Sequence, residues 1–192
     1  MQIGSNSAVI DTDFIIKLSE IRRTIEEIHS IARMVFTSLG LGVLMHPLVF
    51  EHEIQPTDRK VMSFFKNGIV GKPQLEDILQ SDPIREAYYE YVMPELYKAL
   101  HGCDIPLSGE ATVFDYWRSG ESLGELHSLT MCLLCGCGIF LSDDNDSKIL
   151  QEIIRQKALG QIRVYNRQDT LDTCSAGGLN LSRSDKRAFS HN

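Results

Sequence analysis

The chain has 192 residues, 43% of them hydrophobic, and carries a formal charge of −7 from 19 basic and 26 acidic side chains. That length and apolar share suit one globular domain with a real core and leave too little chain for two. The negative balance argues against a protein that grips nucleic acid by bulk positive charge, although a local basic rim around an acidic site is compatible with it.

The opening MQIGSNSAVIDTDF lacks the basic start, apolar centre and small-residue cleavage site of a signal peptide. The longest uncharged apolar run, residues 126–141, falls short of the roughly 20 residues a membrane-spanning helix needs. A soluble, cytoplasmic protein is therefore expected. The five cysteines (Cys103, Cys132, Cys135, Cys137, Cys174) are odd in number, and three crowd one apolar segment, which does not resemble a disulfide framework. Their C-x-x-C-x-C spacing near His127 lacks the second pair of a zinc site, so buried thiols are the expectation.

In chain order, Ala8-Val9-Ile10 reads as a first, central strand that ends on Asp11-Thr12-Asp13, with Asp13 capping the next helix. Apolar residues at three-to-four spacing (Ile15, Leu18, Ile21, Ile25, Ile28, Ile31, Val35) then predict one long amphipathic helix or two consecutive ones over residues 14–38. Gly40 and Gly42 break that pattern. Val43-Leu44-Met45 is a second strand, and Pro47 suits the first turn of a helix carrying Glu51 and Glu53.

Residues 58–116 look helical over 58–65, 74–80 and 83–100, with no strand signal between, and are read as a helical insertion or lobe. The aromatics there, including Tyr89, Tyr97, Phe114, Tyr116 and Trp117, are core residues on the simplest reading, with base stacking as the alternative.

Residues 120–150 carry the densest signal. On a helix Glu121 and Glu125 share a face with Ser128 and Cys132. Gly138-Ile139-Phe140-Leu141 reads as a buried strand running into Ser142-Asp143-Asp144-Asn145-Asp146, so carboxylates gather at a second strand tip, where open α/β sheets bind ligands. A helix over 148–159 stopped by Gly160, a last strand at 162–165, and a polar segment with a short helix near 184–189 complete the chain. This organisation gives a domain over 1–168 and a polar, partly disordered tail over 169–192.

Three patches, VIDTDFIIKL, PLVFEHEI and GELHSLTMCLLCGCGIFLSDD, resemble the PIN-domain nucleases, particularly their VapC-like branch. The resemblance implies an α/β, three-layer α/β/α fold with a central parallel sheet and an added helical insertion. It places Asp11, Glu53, Glu125 and Asp144 in the family's acidic positions and Ser142 in its Thr/Ser position, with Asp143 as an additional metal-ligand candidate and Glu51 as an alternative to Glu53. It implies a Mg²⁺- or Mn²⁺-dependent ribonuclease with RNA as substrate, and a homodimer. It leaves open whether an antitoxin-like protein accompanies the chain.

The chemistry asks for such residues. A phosphodiester resists attack by hydroxide, and hard divalent cations that activate water and neutralise the phosphate prefer carboxylate oxygens to His or Cys. Two other readings compete. Asp11-Thr12-Asp13 resembles the D-x-D opening of haloacid-dehalogenase-like phosphatases, with Asp11 as nucleophile, and a non-catalytic PIN-like module would bind RNA or protein without cutting it.

Overall fold

The computed structural model describes residues 3–190. Its centre is a parallel sheet of four strands, β1 (Ser7–Ile10), β2 (Gly42–Leu44), β3 (Ile139–Leu141) and β4 (Arg163–Tyr165), in the order β2-β1-β3-β4. Side chains alternate across a strand, and the core divides accordingly. Ala8, Ile10, Val43 and Leu141 join one apolar cluster, whereas Val9, Leu44, Phe140 and Val164 join another. Helices must therefore cover both faces, which is why the strands read as unbroken apolar runs.

On the first face lie α1 (Thr12–Ser19), α2 (Ile25–Ser38) and α4 (Arg59–Lys66), which bury Phe14, Ile28, Ile31 and Phe64. Between α2 and α4 the short α3 (Pro47–Glu53) begins on a proline, whose fixed φ suits a first turn. The second face is covered by α5 (Leu75–Leu79), α6 (Pro83–His101), α7 (Leu123–Cys135) and α8 (Asn145–Gln156), with Ile78, Tyr89, Leu129 and Leu150 inside. In helix α7 nine of the first ten residues are buried, all but Glu125, so its sequence shows little amphipathic stripe.

Several local expectations shift. Of the one helix or two expected over 14–38 the chain forms two, as α1 and α2, but Asp11 rather than Asp13 stands at the N-cap of α1. Thr24 starts α2 afresh through a capping box with Glu27. Glu121 is not helical: α7 starts two residues later, so Glu121 and Glu125 do not share a helix face. The helix before Gly160 already ends at Gln156. Residues 58–116 also supply an isolated parallel bridge, Gly71 to Leu44, at the β2 edge of the sheet.

The C-terminal segment departs most from a polar tail. It forms α9 (Arg167–Ala176) and α10 (Arg183–Ser190), and Leu171, Cys174, Leu181 and Phe189 are buried in the first cluster, Phe189 edge-on to Phe14 at 6.1 Å. A few well-spaced apolar residues anchor a segment whose average composition is polar. The cysteines are free, with Cys132, Cys137 and Cys174 buried, and no described helix is long and apolar enough to cross a membrane.

Candidate functional site

The strand order fixes where a site can form. The connection after β1 leads to one edge of the sheet and the connection after β3 to the other, so a crevice opens beyond the C-terminal ends of these two neighbours. Asp11 follows β1 directly, and Ser142, Asp143 and Asp144 follow β3.

Asp11 is only 3% exposed. Its main-chain N–H donates to Leu141 O (2.9 Å), and Ser142 Oγ donates to its Oδ2 (3.2 Å). Ser142 is itself held, receiving bonds from the Asp144 N–H (3.1 Å) and the Ser147 hydroxyl (2.8 Å). One buried hydroxyl thus ties together the tips of β1 and β3 and the start of α8. Burial pushes the Asp11 carboxyl well above its usual range, and Glu125 and Glu53 push it further.

Glu125 sits in the first turn of α7, where free main-chain amides favour a carboxylate. Burial nevertheless raises it to about 7, with Asp144, Glu53 and Asp146 adding repulsion. Glu53 ends α3 and is raised by burial and by Asp13. Its approach depends on a missing side chain: a Cβ on Gly124 would lie 2.5 Å from Glu53 Oε1. Asp144 caps α8, its Oδ1 accepting from the Asp146 N–H at 2.7 Å. Glu53, Glu125, Asp144 and Asp146 line a cleft of about 680 Å³ together with His52, Trp117, Arg118 and Ser122.

Three acids proposed or considered from sequence are paired with basic side chains instead. Asp143 is a metal-ligand candidate on sequence, but its Oδ1 accepts from the Arg167 N–H (3.0 Å) and its Oδ2 from Arg167 Nε (2.6 Å), with Lys17 3.7 Å away. It anchors α9 and α1 to the strand tip instead of facing the cleft. Glu51 is exposed and paired with Lys72 at 3.9 Å, so the choice between the two glutamates of α3 falls to Glu53. Asp13, which the phosphatase reading needs beside Asp11, has a 53%-exposed side chain paired with Lys17 at 3.5 Å.

The cleft also contains residues that sequence reasoning left out of the site. Ser122 holds a left-handed conformation (φ 49°), which costs a non-glycine residue about 1 kcal/mol, and its hydroxyl donates to Asp146 at 2.7 Å. Glu121 receives the hydroxyls of Tyr97 (2.9 Å) and Tyr116 (2.7 Å) on one oxygen, fastening the loop that carries Trp117 and Arg118. Neither the spacing nor the residue types of residues 116–122 signalled this, because the contacts join a loop to α6.

Below the cleft, Tyr89 Oη lies between His46 Nε2 (2.9 Å) and His127 Nδ1 (2.8 Å). His46 Nδ1 accepts from the Leu48 N–H (3.2 Å), so its proton is on Nε2 and points to the phenol. Burial holds His46 well below its usual range and His127 at about 3, so both rings are neutral.

What could be held here follows from the donors. Asp11, Glu53, Glu125 and Asp144 offer carboxylate oxygens, the ligands that hard divalent cations prefer. Among the described residues no group of three or more Asp, Glu, His or Cys side chains is placed so that it could hold a metal ion. Mg²⁺ is ordinarily held by one or two carboxylates with waters and substrate phosphate as its other ligands, so it does not require such a group. No protein-family model, curated protein or solved structure matches the chain.

Proposed function

We propose that this protein is a divalent-metal-dependent ribonuclease of the PIN type, hydrolysing RNA phosphodiester bonds at the acidic cleft. One observation carries the reading. Acids from separate segments, Asp11 after β1, Glu53 at the end of α3, Glu125 at the start of α7 and Asp144 after β3, converge at the switch point of a parallel sheet; burial raises Asp11, Glu53 and Glu125, and repulsion from the others of the set raises Asp11 and Glu125 further. A fold maintains such repulsion at a cost in stability, and perturbed carboxylates in a cleft are what a functional site looks like physically.

Asp11 and Asp144, with Glu125 beside them, are the residues that would hold Mg²⁺ or Mn²⁺. The cation would supply charge neutralisation of the scissile phosphate and acidify the attacking water. The chain's own contributions are specific. Ser142 fixes the Asp11 carboxylate by donating to Oδ2 and fixes the Asp144 backbone by accepting its N–H. Glu53 completes the acidic wall against Gly124. Arg118, paired with Glu121 at 3.2 Å and with its side chain 70% exposed at the rim, has guanidinium donors left over for a phosphate.

The test is cleavage of single-stranded and structured RNA with Mn²⁺, wild type against Asp11→Asn. Cleavage that the substitution lowers at least 100-fold supports the reading. Absence of cleavage by the wild type, or equal rates, would refute it. Pairing into a homodimer belongs to this proposal as a consequence of the same resemblance, which leaves an antitoxin-like partner open.

A further inference from the structure

Next to the carboxylates stands a pile of rings. His52, adjacent to Glu53 on α3, lies nearly parallel to Trp117, with centroids 4.4 Å apart and planes 13° apart. Trp117 is in turn parallel to His127 (5.8 Å, 8°), and His127 stacks on His46 (5.3 Å, 27°). The inner rings are wholly buried and pinned by Tyr89, Trp117 is half-buried, and His52 is exposed. Both His52 and Trp117 line the acidic cleft.

An exposed ring backed by a rigid pile is an open stacking platform. Its inner neighbours are already ordered, so a further flat ring can be added without the side-chain ordering cost that a mobile surface imidazole would impose. Nucleobases stack on aromatic side chains in this way, with little dependence on which base is offered. A base in a duplex has both faces covered and is not available.

We propose that His52 is a base-stacking residue, on which an unpaired nucleobase lies beside the phosphate held in the acidic cleft. The inference rests on the cleft's taking a nucleic acid, and it adds that the substrate is single-stranded there. His52 acts by contact with the base and takes no part in bond cleavage.

The experiment uses the full chain carrying Asp11→Asn, which is cleavage-deficient on the reading above, and a single-stranded RNA containing 2-aminopurine. Binding is expected to quench the 2-aminopurine fluorescence. Adding His52→Ala should remove the quench and weaken binding about tenfold, whereas His52→Phe should keep both within about twofold. A duplex of the same sequence should bind more weakly than the single strand. Undiminished quench and affinity with His52→Ala, a loss with His52→Phe as large as with Ala, or no binding by the Asp11→Asn chain would each overturn the proposal. Mn²⁺-dependent cleavage by the wild type separates this failure from failure of the nuclease reading, since it can persist when stacking is disproved.

Discussion

Gly124 and Glu53 are fitted to each other: the carboxylate of one occupies the space that a Cβ on the other would fill, 2.5 Å from Oε1. The displaced group is the far end of a flexible side chain, so Gly124→Ala should cost little stability. It should even gain up to about 1 kcal/mol, because alanine is the better helix former. The same change pushes the Glu53 carboxylate out of the acidic wall. We expect an unchanged or raised melting temperature with RNA cleavage reduced at least tenfold. Cleavage at the wild-type rate would show that Glu53 is not needed where it stands.

The metal-free site should be a pH-dependent weakness. Glu125 is raised to about 7 in the folded chain, chiefly by burial, from about 4.5 when exposed, so the folded state binds more protons between these values. Stability from this group is therefore present at low pH and is lost as pH rises from about 4.5 through 7. Glu125→Gln should stabilise the metal-free protein by about 1–3 kcal/mol at pH 8 and by little at pH 4.5. Denaturant unfolding at the two pH values with chelator present measures this, and a gain that does not depend on pH would contradict the assignment.

Asp143 is predicted to matter for folding more than for chemistry. It accepts two bonds from Arg167, and both side chains are nearly buried, at 11% and 10% exposure. Removing Arg167 leaves the nearly buried Asp143 carboxylate with only Lys17, at 3.7 Å, as counter-charge, so Arg167→Ala should cost up to about 3 kcal/mol. Asp143→Asn should lower the melting temperature while any Mn²⁺-induced rise persists. If Asp143→Asn abolished that rise at unchanged stability, Asp143 would belong to the metal site after all.

The buried rings give a separate stability prediction. Tyr89→Phe removes the hydroxyl between His46 and His127 and leaves the His46 N–H with no partner in a dry core, which costs about 1–3 kcal/mol. Both histidines are held neutral, His127 at about 3, so they contribute stability above about 6.5 that is lost as pH falls toward 3. This trend opposes that of Glu125, and acid unfolding of wild type against Glu125→Gln should reveal it more steeply in the variant.

How much of this was legible in the sequence follows from the range of the interactions. The strand tips were readable because Ala8-Val9-Ile10 and Ile139-Phe140-Leu141 are apolar runs ending in Asp or Ser-Asp-Asp, a local pattern. The α/β layering with a parallel sheet followed from their alternation with helical spacing. Asp143 could not be told from Asp144, because what separates them is Arg167, which is 24 residues away from Asp143 along the chain. The ring pile from His52 to His46 was illegible for the same reason, since it joins α3, α7 and an irregular loop. In the tail the short helix near 184–189 was legible and is α10, whereas its docking was not, because average polarity hides four anchoring residues, Leu171, Cys174, Leu181 and Phe189, that reach the core.

The most direct measurement is anomalous scattering from crystals soaked in millimolar Mn²⁺. The account predicts a peak in the cleft within about 2–2.5 Å of carboxylate oxygens of Asp11 and Asp144, with Glu125 in direct or water-mediated contact, and loss of that peak in Asp11→Asn. A cleft free of anomalous density, or a peak at residues other than these acids, would contradict it.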